Sequence, residues 1–315
     1  MSKSLARCLL GFALTATPVL AAEQFINVLT GGTSGVYYPL GVALANNIGK
    51  AMPGMKTSVQ ATKASVENLN LLQAGRGEIA FTLGDSLSDA WKGSEDAGFK
   101  TPLKKLRGIA AIYPNYIQIV ARADSGIKTL ADLKGKSVSV GAPKSGTELN
   151  ARAIFAAAGL SYKDFSKVEY LSFGESVELM KNRQIDVTLQ SAGLGVSALR
   201  DLATSVDIVV VPIPADIVKK TNDPAYLPAM IPANTYRGQT ADVPAAAVQN
   251  YLVTQDGVGN DVVYGMTKAL WTGLDQLSAA HSAAKAIDLK HALDGMPVPL
   301  HPGSEKYYRE VGMIK

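Results

Sequence analysis

Two short serine–glycine loops hold the residues of this chain best suited to binding a small anion. Ser34-Gly35 and Ser145-Gly146 each follow an apolar, strand-like run and lead into a helical pattern. Unpaired backbone amides at the start of a helix, reinforced by the helix dipole, favour a carboxylate or a phosphate. Turns and helix caps use the same residue types, so one such loop is weak evidence on its own.

The two loops belong to a longer repeat. Residues 65–67 (SVE) recur as residues 176–178, at the same offset of 111 residues that separates the loops (34 to 145, 65 to 176). Two copies of a strand–loop–helix–strand–loop–helix unit predict an α/β fold with two pseudo-repeated lobes. Each lobe would direct its loops and helix N-termini towards a common cleft.

Hydroxyl groups beside the loop amides extend the predicted site. Ser65 and Ser176 either contact the ligand or cap the helices that follow them, and capping is favoured for Ser176. Asn68, one turn into its helix, either turns its amide towards the cleft or faces solvent. The predicted ligand contacts in the two loops are Thr33, Ser34, Gly35, Ser145, Gly146 and Thr147.

Tyrosines and lysines are further candidates. Tyrosine supplies apolar area and a hydroxyl together, so it suits a cleft wall. Gln190 ends a predicted strand and is a candidate polar contact. Lys63 and Lys144, one in each lobe, either face the cleft and suit a second acidic group or are solvated. The wall candidates are Tyr37, Tyr38, Tyr113 and Tyr116.

Catalytic and metal-binding patterns are absent from the sequence. His281, His291 and His301 are spaced ten apart, which matches no metal-ligand pattern. No Gly-x-Ser-x-Gly elbow or Gly-Lys-Ser/Thr phosphate loop occurs. The only cysteine, Cys8, lies in the N-terminal apolar run. We therefore predict neither a catalytic residue nor a metal or cofactor.

The first 22 residues read as a secretory signal peptide. Lys3 and Arg7 precede a short apolar core over residues 8–17, and small or modest residues follow at 19–22. The alternative is an apolar N-terminal helix of a cytosolic protein. Without Lys3 and Arg7 the chain has 29 basic and 27 acidic residues, which gives no electrostatic case for nucleic acid. The prediction is a periplasmic protein.

The remaining 293 residues (23–315) divide into two predicted lobes. Extended segments at 116–122 and 248–254 would pass between them, which makes the first lobe discontinuous. We expect residues 23–117 and 251–315 in lobe 1 and residues 118–250 in lobe 2. The stretch 106–123 is β-rich with a break at Pro114-Asn115, and 212–244 reads as loops and short strands.

Several motifs resemble the TAXI family, the extracytoplasmic receptors of one branch of TRAP transporters, which are tripartite and driven by an ion gradient. The similarity extends over nearly all of the chain after residue 22. The motifs are 31–41 (GGTSGVYYPLG), 64–69 (ASVENL), 113–120 (YPNYIQIV), 140–148 (VGAPKSGTE) and 298–303 (VPLHPG).

The resemblance implies a type II-like periplasmic-binding-protein fold that closes on a small acid such as glutamate or a dicarboxylate. It implies docking on membrane subunits, which are usually fused in this family. Lys63 and Lys144 stand where glycine is expected, and Leu83 where glutamine is common. The ligand contacts that it implies are Thr33, Ser34, Gly35, Tyr37, Ser65, Asn68, Ser145, Gly146 and Thr147.

Together these patterns predict a monomeric receptor for a small carboxylate (glutamate, 2-oxoglutarate or a dicarboxylate) that serves a TRAP transporter. One alternative is a binding module that feeds a sensor kinase, because the receptor chain alone would look the same. The other is an enzyme on the same fold, although the sequence offers no base–nucleophile pair.

Overall fold

Strands and helices alternate strictly at the start of the chain in the computed structural model, which describes residues 24–315. The predicted signal peptide therefore lies outside the described residues. Strand β1 pairs in parallel with both β2 and β3. These three strands and three helices are called the first unit. They are β1 (Gln24–Leu29), α1 (Tyr37–Ala51), β2 (Met55–Gln60), α2 (Ser65–Gln73), β3 (Ile79–Leu83) and α3 (Gly84–Lys92).

A single long strand, β4 (Leu106–Arg122), leads out of the first unit. The expected break at Pro114-Asn115 is wrong, since the strand continues through both residues. Proline has no N–H to give to a ladder and is tolerated in a sheet where pairing is irregular. Pro114 meets this condition because it lies opposite Gln249, at which the register of the neighbouring strand shifts.

The second unit repeats the order of the first. Strand β5 lies between β6 and β7 and pairs in parallel with both, so the order β6-β5-β7 matches β2-β1-β3. The predicted repeat of an α/β unit is therefore confirmed. The second unit consists of β5 (Ser137–Ser139), α4 (Gly146–Ala157), β6 (Lys167–Glu169), α5 (Phe173–Lys181), β7 (Val187–Ala192) and α6 (Ser197–Ser205).

The two copies differ at their SVE motifs. Ser65 is the first residue of α2, and Ala64, with a φ of 71°, holds the cap position without a side-chain hydrogen bond. Ser176 lies inside α5, and Ser172 caps that helix through a reciprocal pair of bonds with Glu175. The predicted capping by Ser176 is therefore wrong, because a better capping box begins four residues earlier.

The chain then returns to the first unit. Strand β8 (Ile208–Val211) pairs with β4, and helix α7 (Ala215–Lys220) leads to β9 (Tyr226–Ile231). The stretch expected as loops and short strands thus also contains a helix. Strand β10 (Val243–Gln255) pairs antiparallel with β9, β4 and β3.

Three helices complete the chain. Helix α8 (Asn260–Thr272) is followed by α9 (Leu274–Ala280) and then by α10 (Pro302–Glu310). Apolar side chains of α8 and α1 are buried in one cluster, so the C-terminal helices pack against the first unit.

Strands β4 and β10 join the two units into one sheet of ten strands. Near one end β10 pairs with β3, and the far half of β4 pairs with β7. Asn250 is fully buried where the ladder shifts register, and its Nδ2 donates to the Tyr113 carbonyl at 2.8 Å and to Asn115 Oδ1 at 2.7 Å. Its Oδ1 accepts from the Tyr37 hydroxyl.

We expect Asn250→Ala to lower the free energy of unfolding by roughly 2–4 kcal/mol, because it leaves buried polar partners unpaired. Urea denaturation measures this. The control is Gln249→Ala. The side-chain nitrogen of Gln249 (Nε2) lies 3.4 Å from the backbone carbonyl oxygen of Asn250, so it makes only a weak contact. An equal loss in both variants would contradict a special role for Asn250.

Candidate functional site

A cavity of about 330 Å³ lies between the two units, where the parallel strands of both end. Carboxyl ends of parallel strands form the usual ligand-binding edge of an α/β sheet. Loops after β1, β2, β5 and β6 and the ends of β3 and β7 all contribute. The lining residues are Gly31, Gly32, Gly35, Val36, Tyr37, Thr62, Lys63, Ala64, Ser65, Leu83, Tyr113, Asn115, Ala142, Pro143, Ser145, Gly146, Thr147, Tyr170, Ser172, Phe173, Glu175, Ser191 and Ala192.

The first serine–glycine loop forms a tight turn before α1. The Gly35 amide donates to the Gly32 carbonyl at 3.0 Å, and Gly35 and Tyr37 both line the cavity. Val36 precedes the helix without a side-chain cap, so the first amides of α1 have no internal acceptor. Thr33 and Ser34 are not among the lining residues, and the Ser34 carbonyl accepts from Ser197 Oγ at 2.8 Å.

The second serine–glycine loop begins α4. Ser145 Oγ caps the helix by accepting from the Glu148 amide at 3.1 Å, which leaves the amides of Gly146 and Thr147 without an intrahelical acceptor. All three residues, 145–147, line the cavity. Lys144 does not line it, and its carbonyl accepts from the Glu67 amide of the first unit at 3.2 Å.

Helix α2 contributes Ser65 but not Asn68. Ser65 Oγ accepts from the Leu83 amide at 3.1 Å and lies on the cavity wall. Asn68 is fully buried behind that wall, where its Nδ2 donates to the Thr30 and Phe81 carbonyls at 2.7 and 2.8 Å. Its amide thus ties β1 to β3 instead of facing the cleft.

The sheet side of the cavity carries Tyr37, Tyr113, Asn115 and Ser191. Asn115 Nδ2 donates to the Ser191 carbonyl at 2.9 Å, and its Oδ1 accepts from Asn250. Burial raises the pKa of Tyr37 and of Tyr113 well above the usual range, so both phenols stay protonated.

The start of α5 and the loop before it form another part of the cavity lining. Tyr170, Ser172, Phe173 and Glu175 line the cavity there. Hydrogen bonds from the side chain and amide of Ser172 lower the pKa of the Glu175 carboxyl, so this group is ionised. A helix start already occupied by a carboxylate is a poor site for a second anion. Gln190 is buried and outside the lining.

The structure therefore brings eight of the sixteen candidate residues to one cavity. They are Gly35, Tyr37, Lys63, Ser65, Tyr113, Ser145, Gly146 and Thr147. The candidates outside the lining are Thr33, Ser34, Tyr38, Asn68, Tyr116, Lys144, Ser176 and Gln190. Sequence reasoning missed Tyr170, Phe173, Glu175 and Ser191, which follow or end strands β6 and β7. The repeat could have indicated two of them, since Phe173 and Glu175 lie 111 residues after Thr62 and Ala64, which also line the cavity.

The two units touch each other around the cavity. A Cβ added to Gly146 would lie 2.7 Å from Ser65 Oγ and from Leu83 Cδ1, so there is room for glycine only. Ser197 and Ser34 are hydrogen-bonded on another side. The structure is that of a closed cleft.

A buried carboxylate also joins the units. Asp85 Oδ2 accepts from Asn150 Nδ2 of α4 at 2.6 Å and from the Tyr226 hydroxyl of β9 at 2.7 Å. Burial raises the pKa of Asp85 to about 6, and the nearby carboxylates of Asp223 and Asp89 add to the rise. Its hydrogen bonds act in the opposite direction but do not cancel the cost of burial.

Several solved structures of other proteins have the same architecture. PhnD1 from Prochlorococcus marinus, solved with methylphosphonate, is similar in structure with a TM-score of 0.58 and 13% identity over 93% of this chain and 100% of that one. The periplasmic binding protein BugD has a TM-score of 0.59 and 13% sequence identity, over 93% of this chain and 96% of that one. The alkanesulfonate-binding protein SsuA from Xanthomonas axonopodis pv. citri, bound to MOPS, has a TM-score of 0.50 and 14% identity, over 92% of this chain and 85% of that one. The fold is that of periplasmic solute-binding proteins.

The chain belongs to the NMT1-like family, whose model matches residues 28–312. Across residues 24–315, no cluster of three or more potential metal-ligating His, Cys, Asp or Glu side chains occurs. No helix in that part of the chain is long and apolar enough to cross a membrane.

The Asp85 arrangement predicts a pH dependence. A carboxyl whose pKa is higher in the folded protein than in the unfolded chain stabilises the fold at low pH and less so as pH rises through about 6. From this group we expect the free energy of unfolding to be higher at pH 5 than at pH 7 by on the order of 1 kcal/mol. Urea titrations at both pH values should show a smaller difference in Asp85→Asn.

The control is Asp261→Asn, because the Asp261 side chain is 93% exposed. Other titrating groups, including His281 and His301, are common to all three proteins and cancel in the comparison. The same pH difference in wild type and Asp85→Asn would rule out the assigned role.

Proposed function

We propose that the chain is an extracytoplasmic receptor that binds a small carboxylate between two lobes. The observation that carries the proposal is the convergence of two helix starts, α1 and α4, on one cavity. The first amides of both helices lack internal acceptors, and each start comes from a different unit. The carboxylate would lie on these amides.

The proposed lobes are residues 23–117 with 251–315, and residues 118–250. Strands β4 and β10 are the connections between them. A ligand that contacts both lobes binds the closed form better than the open one, and this difference drives closure. The closed shape is then what a membrane partner recognises.

Two charged side chains on the lining indicate which groups the ligand carries. Lys63 comes from the loop after β2 and Glu175 from the start of α5, so they reach the cavity from different units. Lys63 suits a second acidic group on the ligand, as in glutamate, 2-oxoglutarate or a dicarboxylate. Glu175 suits a hydrogen-bond donor on the ligand, an amino or a hydroxyl group.

The partner we propose is the membrane part of a TRAP transporter. The motif similarity to the TAXI receptors supports it, whereas the fold alone is shared with phosphonate and alkanesulfonate receptors such as PhnD1 and SsuA. A periplasmic location follows from residues 1–22 as a signal peptide. N-terminal sequencing of the protein exported to the periplasm should then give a start at residue 22 or 23.

A thermal-shift screen of the exported protein tests the ligand class. Its panel holds glutamate, glutamine, 2-oxoglutarate, succinate and malate, with methylphosphonate, ethanesulfonate and neutral amino acids. A ligand that binds only the folded state raises the melting temperature by mass action. A rise with a carboxylate supports the proposal. A rise only with the phosphonate, the sulfonate or neutral compounds contradicts it.

Gly146→Ala tests closure. The added methyl group would clash with Ser65 and Leu83 of the first unit only when the cleft is closed. We expect the affinity for the best carboxylate to fall at least about tenfold, an effect of ~1.4 kcal/mol. The melting temperature without ligand should stay near that of wild type. Isothermal titration calorimetry measures the affinity, and a thermal melt without ligand measures the melting temperature. Small-angle scattering with and without ligand shows whether the variant still closes.

The matched control is Gly49→Ala in the last turn of α1. A Cβ there would lie 3.7 Å from Thr57 Oγ1, an ordinary contact within the first unit. Unchanged affinity in Gly146→Ala would mean that the closed contact between Gly146 and Ser65 is not needed for binding.

A further inference from the structure

Two hydroxyl groups on the cavity lining have no hydrogen-bond partner among the described residues. They are Tyr113 Oη and Ser191 Oγ, and the two residues are 0% and 5% exposed. A buried hydroxyl without a partner is costly, and in native proteins such groups are paired with protein, ligand or water. An unpaired group that lines a ligand cavity therefore indicates what the ligand must supply.

The two hydroxyls come from neighbouring strands beside the cavity. Strands β4 and β7 are paired, with Ile117 directly opposite Ser191. Tyr113 and Asn115 precede Ile117 on β4, and both line the same cavity as Ser191. The Asn115 side chain bridges the two strands by donating to the Ser191 carbonyl. The hydroxyls thus belong to one polar area on the sheet side of the cavity.

This polar area recognises a neutral group. The ionic side chains of the lining, Lys63 and Glu175, lie in the loop after β2 and in the first turn of α5, not on the strands. The Tyr113 hydroxyl stays protonated, since burial raises its pKa well above the usual range. The Asn115 amide donates to Ser191 and accepts from Asn250, so it is already engaged. Two hydroxyls without a partner among the described residues, on strands that bring no ionic side chain to the lining, match a hydroxyl or carbonyl oxygen.

We propose that the ligand is an oxygen-substituted acid, a hydroxy- or oxo-carboxylic acid, whose neutral oxygen bonds to Tyr113 and Ser191. The inference rests on the proposed function, in which the carboxylate lies on the amides of α1 and α4. Tyr37, Leu83 and Phe173 supply apolar walls between these two polar ends. Tyr113 and Ser191 are then specificity-determining residues.

Matched pairs of acids test the proposal on the exported protein. The pairs are malate and succinate, 2-oxoglutarate and glutarate, lactate and propionate, and phenyllactate and 3-phenylpropionate. Each pair differs only in the oxygen substituent. Calorimetric titration should show the oxygenated member of the tightest-binding pair favoured by about tenfold or more, as expected when a buried hydroxyl loses its partner.

Variants assign the preference to the two residues. Tyr113→Phe and Ser191→Ala should each reduce the ratio of affinities within that pair several-fold while changing the affinity for the unsubstituted acid little. Thr188→Val is the matched control, because Thr188 Oγ1 is also buried and unpartnered among the described residues but lies outside the lining. Circular dichroism checks the fold of each variant, and Ser191→Ala remains the test if Tyr113→Phe does not fold.

The outcomes separate this proposal from the one on which it rests. Binding of acids with no preference within the pairs overturns the oxygen-substituted acid and leaves the carboxylate receptor standing. Binding of no acid at all overturns both. A preference that persists in Tyr113→Phe and Ser191→Ala overturns the role of these hydroxyls.

Discussion

The antiparallel pairing of β4 with β10 is the constraint on which the rest of the structure depends. The two strands lie side by side in the middle of the sheet, where β10 pairs with β3 of the first unit and β4 pairs with β7 of the second, so the pairing of β4 with β10 is what joins the two units. The ladder between them shifts register at two places, and the first of these lies beside Pro114 and Asn250. There the Asn250 side chain supplies the hydrogen bonds that the strands do not. This first register shift therefore lies next to the sheet side of the cavity, and it is held by side chains.

Repeating one topology on both sides of these strands explains why two distant loops meet. The strands β2-β1-β3 run opposite to β6-β5-β7, so the carboxyl ends of three parallel strands from each unit face the cavity between them. The helix starts that gather there are not equivalent. At the start of α5 the Glu175 carboxylate accepts from the amide and hydroxyl of Ser172. The first-turn carboxylate of α4, Glu148, is instead paired with Arg152 one turn further on. Ser145 caps α4 with a neutral hydroxyl, and the amides of Gly146 and Thr147 have no intrahelical acceptor. Anion-binding capacity thus remains at α1 and α4, one in each unit.

Local patterns in the sequence were sufficient for the repeat, for β1 and β3, and for the loops at 31–37 and 145–147. They failed where tertiary contacts decide. Ser65 looks like a cap but accepts from Leu83, a residue of the next strand, and Asn68 looks free but joins β1 to β3. Ser191 has no local signal at all, since its position on the lining depends on the register of β7 against β4. Such contacts join residues far apart in sequence, and periodicity carries no information about them.

Asp85 shows what closing the cleft costs. Its carboxylate is buried between the units without a cation, and its donors Asn150 and Tyr226 belong to the opposite side. Opening the cleft would return this carboxylate to water, so closure must offset its desolvation. Under the proposed function, ligand contacts supply that offset, and the empty receptor is biased towards the open form. A partner that recognises the closed shape would then respond to ligand and not to the empty receptor, because the buried carboxylate opposes closure in the absence of ligand.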